Sequence, residues 1–368
     1  VGSESSLLTG VPVYGEESRK YRRTQYKGPR DWAEHRSTTR IFANLGSIFS
    51  SGVVRSLQFE VGSVAAVALA LVIWNAVASN GIVFAEQSIE AGLLPILSLP
   101  VLPFTLASPA LGLLLVFRTN ASYTRWLEAR RSWALIGSSL RNIIRQLVAW
   151  QPPLDGVMDA DVLSKRKERV AQVAALGSAL SRSLQIEQQL EPTQKEPSPE
   201  AYADMLLAST TLPLRREDAE AIGRARQPAA TALAKLSGAL AIASEDLSDG
   251  AKKLTEIDKA IVKLTEQVGE CERLYTSPVP LVYTRHTARF LACWLLLLPF
   301  ALVGGVTVST FSALTIVPEA GFIATFLFGI DELAVQLEEP FSILPLHQEC
   351  SSIDEALAQF LSEMPTQK

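Results

Sequence analysis

Three runs without a single charged residue, Val61–Ala85, Ala91–Phe117 and Phe290–Pro318, constrain this chain more than anything else in it, and Gly321–Ile330 adds a fourth apolar run after Glu319. A helix needs about 20 consecutive apolar residues to cross the hydrocarbon core of a bilayer. The runs therefore predict membrane spans at 58–79, 92–118, 281–304 and 315–333. Gly304, Gly305 and the β-branched "VTVST" predict that the third run ends in an extended outer loop, and Pro318 and Glu319 make the fourth span the weakest signal. A hydrophobic share of 48% and a mean hydropathy of +0.19 lean the same way.

Lys and Arg set the orientation, because they are retained on the inner side of a membrane. Residues 118–150 carry Arg118, Arg125, Arg130, Arg131, Arg141 and Arg145 against Glu128 alone. The N-terminal "RKYRRTQYKGPRDWAEHR" is basic too, and Arg285 and Arg289 precede the third span. The loops at 80–90 and 304–320 hold acids and no Lys or Arg. Both termini and the region 118–280 are thus expected on the inner side, cytosolic or stromal. The expected organisation is a basic N-terminal segment (1–56), two membrane helices (57–118), an inner-side helical domain (119–278), two more membrane helices (279–333) and an inner C-terminal segment (334–368). In the inner region "RKERVAQVAALGSALSRSLQIEQQL" and "LTEIDKAIVKLTEQVGECERLY" repeat apolar residues at helical intervals, and "LEPTQKEPSPE" reads as an exposed linker. A packed bundle accounts for these helices without any chemistry.

Enzymes find little support. Cys271, Cys293 and Cys350 lack metal-ligand spacing and are odd in number, and His35, His286 and His347 are scattered. No phosphate-binding loop, zincin motif or nucleophile elbow is present. The net charge of −4 gives no reason to expect nucleic acid. The chain opens on Val1, so an upstream segment is expected, a targeting peptide among the candidates.

"LPVLPFTLASPALGLLLVFRTN" (99–120) poses the sharpest question, since Pro100, Pro103 and Pro109 interrupt a stretch greasy enough for lipid. Non-helical backbone survives at membrane depth only where protein buries it or water wets it. Ser108 suits an N-cap and Pro109 the first helical position, so a helix restart is expected there, with its positive end aimed at a cavity. Pro109, Leu113 and Phe117 then recur every four residues on one face, with Arg118 at its inner end. In a ring of identical subunits that face would be an apolar constriction of the kind that gates by dewetting. Packing inside a kinked helix is the other reading of the same stripe. Arg118 and its neighbours likewise admit two roles: binding lipid phosphates and inner-side acids, or raising the anion concentration at the pore mouth.

"FRTNASYTRWLEARRSW" (117–133), "SPVPLVYTRHTARF" (277–290) and "GIDELAVQLEEPFSILPLHQEC" (329–350) together resemble the bestrophin family of anion channels. "SILPLHQEC" is closer to the plant thylakoid and bacterial branches than to the animal one. The resemblance covers about residues 30–360, and 150–250 is too divergent to compare. It implies an all-α membrane protein with four transmembrane helices per subunit and an inner-side helical domain, assembled as a homopentamer around one central pore. The second membrane helix lines that pore, and the family's neck positions fall on Pro109, Leu113 and Phe117, where Pro109 stands in place of a larger apolar side chain. Ser108 and Arg118 become the positive ends of the neck. A second, inner aperture falls near Leu254 or Thr255 by spacing from Cys271.

The animal branch follows Pro-Phe with a run of acids that clasps calcium, whereas Pro340-Phe341 is followed here by Ser342, Ile343, Leu344, Pro345 and Leu346. Calcium takes six to eight oxygens, so no calcium gate and no cofactor are expected, bound chloride aside. Gln336, Glu338 and Glu339 then read as a structural polar cluster bonding to the basic stretches at 20–40 and 118–131. The expected function is a calcium-independent chloride channel of a thylakoid or bacterial inner membrane, with voltage as a candidate stimulus, membrane lipids and small anions as partners, and no catalysis. A bicarbonate channel and a non-conducting membrane scaffold are the alternatives.

Overall fold

The computed structural model describes residues 26, 28–46, 52–80, 82–84, 87–89, 94–152, 160–190, 197–304 and 314–364. The basic run before Tyr26, the outer "VTVST" and most of the linker at 190–200 lie outside the described residues. Apart from the connecting stretches the described residues are helical, with two three-residue strands, β1 (Ile82–Phe84) and β2 (Gln87–Ile89), paired antiparallel between the first two spans. Two compact units form, one from Tyr26–Arg125 with Pro278–Glu339, the other from Trp126–Ser277 with Pro340–Lys368.

The first unit begins with three short helices, α1 (Pro29–His35), α2 (Arg40–Gly46) and α3 (Gly52–Ser56). Four helices long and apolar enough to cross a membrane follow: α4 (Gln58–Asn80), α5 (Leu102–Ala149), α11 (Leu281–Gly304) and α12 (Ile316–Glu338). The chain is an integral membrane protein. Val64 and Ala68 of α4, Leu111 and Leu115 of α5, Leu291, Leu295 and Leu298 of α11, and Ala320 and Ala324 of α12 share one core. Alanines at the crossings of α4 and α12 let the backbones approach, which is how helices gain dispersion contacts when lipid removes the hydrophobic drive.

The second span differs from its expected extent. Residues 94–101 are not helical, and α5 starts at Leu102 rather than 92. Extended backbone among membrane helices needs partners for its N–H and C=O groups, and three side chains or backbone groups of the first unit supply them. Asn75, buried on α4, donates to the Leu97 carbonyl at 2.9 Å and accepts from the Leu97 N–H at 2.8 Å. Trp74 donates to the Pro95 carbonyl at 3.0 Å, and the Leu99 N–H reaches the Phe300 carbonyl of α11 at 2.9 Å. Pro95 and Pro100 have no N–H to satisfy. The approach is so close that a Cβ on Gly304 would stand 2.7 Å from the Leu99 carbonyl oxygen.

The second unit is a bundle of the rest of α5 with α6 (Ala160–Gln189), α7 (Pro199–Ser209), α8 (Arg216–Gly223), α9 (Pro228–Ser244), α10 (Gly250–Thr276), α13 (Pro340–Ile343) and α14 (Leu346–Ser362). Helix α6 is its axis, buried on every side from Val173 to Leu184, and the small residues Ala174, Ala175, Gly177, Ser178 and Ala179 let neighbours in. Burial on all faces leaves polar atoms to be paired inside. Arg182 reaches Asp354 at 2.9 Å, the Ser351 hydroxyl at 3.2 Å and His347 Nδ1 at 3.0 Å, tying α6 to α14. Trp133 of α5 donates to Gln188 at 3.1 Å. Burial pushes the thiols of Cys271 and Cys350 up to about 12, so both stay protonated and inert.

Candidate functional site

Helix α5 runs without a break through Pro109. The expected restart at Ser108 is corrected for a local reason. A residue at 109 would ordinarily donate its N–H to the Thr105 carbonyl, and proline cannot. The Ser108 hydroxyl donates to that carbonyl instead, at 3.1 Å, so no helix end is needed there. The true N-terminus lies at Leu102, about 10 Å earlier at 1.5 Å per residue, with Pro103 in the first turn.

Downstream, one face of the helix packs and the other does not. Leu111, Leu115, Arg118 and Ser122 follow one another at four- and three-residue intervals and are buried. Leu106, Pro109, Leu113, Phe117, Asn120 and Thr124 occupy the opposite side and are exposed, Leu113 to 54% and Phe117 to 55%. The exposed stripe is apolar as far as Phe117 and turns polar at Asn120 and Thr124. Of the four membrane spans, the apolar stretch of α5 is the least covered by its own chain. Pro109, Leu113 and Phe117 thus share an open face.

Arg118 does not point along that stripe. It is 5% exposed and forms an ion pair with Asp331 of α12, so its charge is compensated inside the unit. The expectation that it supplies positive potential at the pore mouth is corrected accordingly, and inner-side acid binding is the role that the geometry shows. Asp331 is the partner that sequence reasoning left unassigned. Its signal was spacing, because Asp331 falls near the inner end of one span and Arg118 near that of another.

The acids after the fourth span follow the expected pattern in part. Gln336 donates to Glu332 at 2.6 Å within α12. The Glu338 carboxylate accepts the Val279 N–H at 3.2 Å, while its backbone carbonyl accepts Arg125 Nε at 3.1 Å. Glu338 therefore ties the end of α12 to α5 and to the start of α11. Glu339 is the exposed C-cap residue of α12.

The family model described as Bacterial/Fungal Bestrophin protein matches residues 31–359. The chain belongs to the bestrophin family. This bestrophin is 31% identical to the chloroplastic voltage-dependent chloride channel 1 of Arabidopsis thaliana over 360 residues, which is 95% of this chain and 78% of that one. A voltage-dependent anion channel-forming protein of Nostoc sp. is 28% identical over 278 residues, covering 73% of this chain and 80% of its own. A crystal structure of a bacterial bestrophin homologue from Klebsiella pneumoniae superposes with a TM-score of 0.63 at 26% identity, over 83% of this chain and 99% of that one.

Two further residues singled out in the sequence can be placed. Leu254 of α10 is half-buried against the bundle core, and its neighbour Thr255 is exposed and donates its hydroxyl to the Ala251 carbonyl at 2.9 Å. Val262, seven residues further on and 51% exposed, is the apolar side chain that shares the Thr255 face. It breaks the helical pattern of α10, where an outward valine stands among charges, and that mismatch was the signal available in the sequence. After Pro340, Phe341 and Ser342 are buried in the turn of α13.

Proposed function

We propose that this bestrophin is an anion channel, with chloride as its working ion, formed by five copies around a pore lined by α5. The observation that carries the proposal is the exposed stripe Pro109, Leu113 and Phe117 on a membrane helix whose other face is packed. An apolar surface left open by its own chain inside a membrane protein meets lipid, another subunit or a pore, and the channel names of the relatives favour the pore. The stripe becomes the neck, and the turn to Asn120 and Thr124 marks where the passage becomes wet. Thr255 and Val262 on α10 are the candidates for the inner aperture. The membrane is that of a chloroplast thylakoid with both termini on the stromal side, a reading supported by the word chloroplastic in one relative's name and by the Lys and Arg bias of the loops, a bacterial inner membrane being the alternative.

Reconstitution in planar bilayers under a chloride gradient tests the function, with a reversal potential near the chloride equilibrium value expected. Phe117→Ala and Leu113→Ala should widen the neck and raise conductance several-fold. Parent-like conductance in both variants would place the neck elsewhere. Because Pro340-Phe341 leads into the buried α13 turn instead of an acidic run, currents should persist in strong calcium chelators. Silencing by chelation with rescue by calcium would show a clasp built from other residues.

A further inference from the structure

We propose that α1 and α2 form a docking surface for acidic phospholipid headgroups on the inner leaflet. Among the described side chains neither helix contributes to a core: α1 has no buried residue, and Ile41, Phe42 and Leu45 of α2 project outward, Phe42 to 76%. Those three share one side of α2, at spacings of one, three and four. Just before α1, Tyr26 packs against Trp32 with ring centroids 4.7 Å apart and planes tilted by 56°, and its hydroxyl meets His35 Nδ1 at 3.0 Å, walling a cleft with Gly28, Pro29 and Arg36. Amphipathic aromatic rings of this kind suit the headgroup layer.

Charge selects the occupant. Residues 19–40 carry eight Lys and Arg against Asp31 and Glu34. Within the described part, Arg30 meets Glu34 at 3.7 Å, Arg36 gives one N–H to the Trp32 carbonyl at 3.1 Å, and Arg40 gives one to the His35 carbonyl at 3.5 Å. A guanidinium has five N–H donors, so each retains several for phosphate. Acidic headgroups neutralise these charges and attract a basic segment that leads into a membrane helix. The chain also holds the surface near the membrane, since α2 ends at Gly46 and the first membrane helix starts at Gln58.

The test is hydrogen exchange by mass spectrometry on the full-length protein in nanodiscs, either of phosphatidylcholine alone or with about a third phosphatidylglycerol. Amides of 29–46 should exchange roughly tenfold more slowly in the anionic discs, and this protection should fall at high salt, where the Debye length shortens to about 3 Å. Phe42→Asp with Leu45→Asp should abolish it while α4, α11 and α12 keep the parent's exchange. Arg30→Gln, Arg36→Gln and Arg40→Gln, introduced together, should abolish it as well with the apolar face intact. Equal protection in phosphatidylcholine discs and in detergent would overturn the proposal in favour of cover by a neighbouring copy. Fast exchange in both discs would overturn it outright.

Discussion

Arg118 and Phe117 are adjacent in sequence and about 100° apart around the helix, and that angle separates their roles. Phe117 falls on the open stripe, while Arg118 turns inward to Asp331. Removing one partner of a buried ion pair strands the other and destabilises by about 3–5 kcal/mol, whereas removing both charges together is far milder. Arg118→Gln should therefore lower the thermal midpoint of the detergent-purified protein by about 5–10 °C. Adding Asp331→Asn should recover most of that loss. Equal midpoints for the single and double variants would mean that the pair carries no coupling. Glu187 is a gentler case in the second unit. Its carboxylate caps the start of α9 by accepting the Ala229 N–H at 3.0 Å, yet burial raises its pKa above the usual carboxylate value, with Glu272 adding to the rise. A raised acid disfavours the folded state once it ionises, so this penalty is absent below the unfolded pKa of 4.5 and grows as pH climbs through the folded value. Gln can accept the same hydrogen bond without the charge. Glu187→Gln should raise the midpoint by about 2 °C at neutral pH and leave it unchanged at pH 4; a loss at neutral pH would show that the charge itself holds the cap.

At the scale of elements, the extended segment before α5 is held by α4 and α11 as closely as a helix would be. Gly304 leaves room for the Leu99 carbonyl at a distance where no Cβ fits, and backbone cannot swing aside as a side chain can. Gly304→Ala should cost about 1–3 kcal/mol, read as a lower thermal midpoint, whereas Gly269→Ala on an open face of α10, where helix propensity alone acts, should raise the midpoint slightly. The same segment shows why some boundaries were legible and others were not. The four spans could be read from uncharged runs alone, and α11 occupies the 281–304 expected for it. The start of α5 could not, because "LLPILSLP" is as apolar as the helix that follows, and what keeps it extended is a pair of bonds from Asn75, some 20 residues away. The supposed break at Pro109 failed on one hydroxyl: Ser108 looks like an N-cap in sequence and acts inside the helix as the donor that proline lacks. The stripe itself was legible, since four-residue spacing survives whether or not the helix starts at Ser108. The orientation of Arg118 was not, because its partner lies more than 200 residues away.

Taken as a whole, the proposed pore has an apolar neck, and the charge that follows it in the chain, Arg118, is paired with Asp331. With Arg118 neutralised by Asp331 and the helix start displaced about two turns outward to Leu102, neither positive group once expected beside the neck is there to hold an ion. An anion entering a ring of Pro109, Leu113 and Phe117 must shed part of its hydration shell against side chains that return little. Permeability should then follow the free energy of dehydration, so large, weakly hydrated anions such as iodide, nitrate and thiocyanate should pass at least as readily as chloride, and sulfate hardly at all. Discrimination against cations must arise outside the neck, where the summed field of several subunits acts over a Debye length of about 8 Å at physiological salt. The two levels are separable. In Arg118→Gln combined with Asp331→Asn, where the pair is removed without leaving a net charge, both the anion order and the chloride-to-cation ratio should match the parent in bi-ionic reversal-potential measurements. Phe117→Ala should compress the spread among anions by easing dehydration, again with little change in the ratio to cations. A parent channel that prefers chloride to iodide would contradict the apolar neck and require polar groups in contact with the ion. A double variant that loses anion selectivity would return Arg118 to the pore.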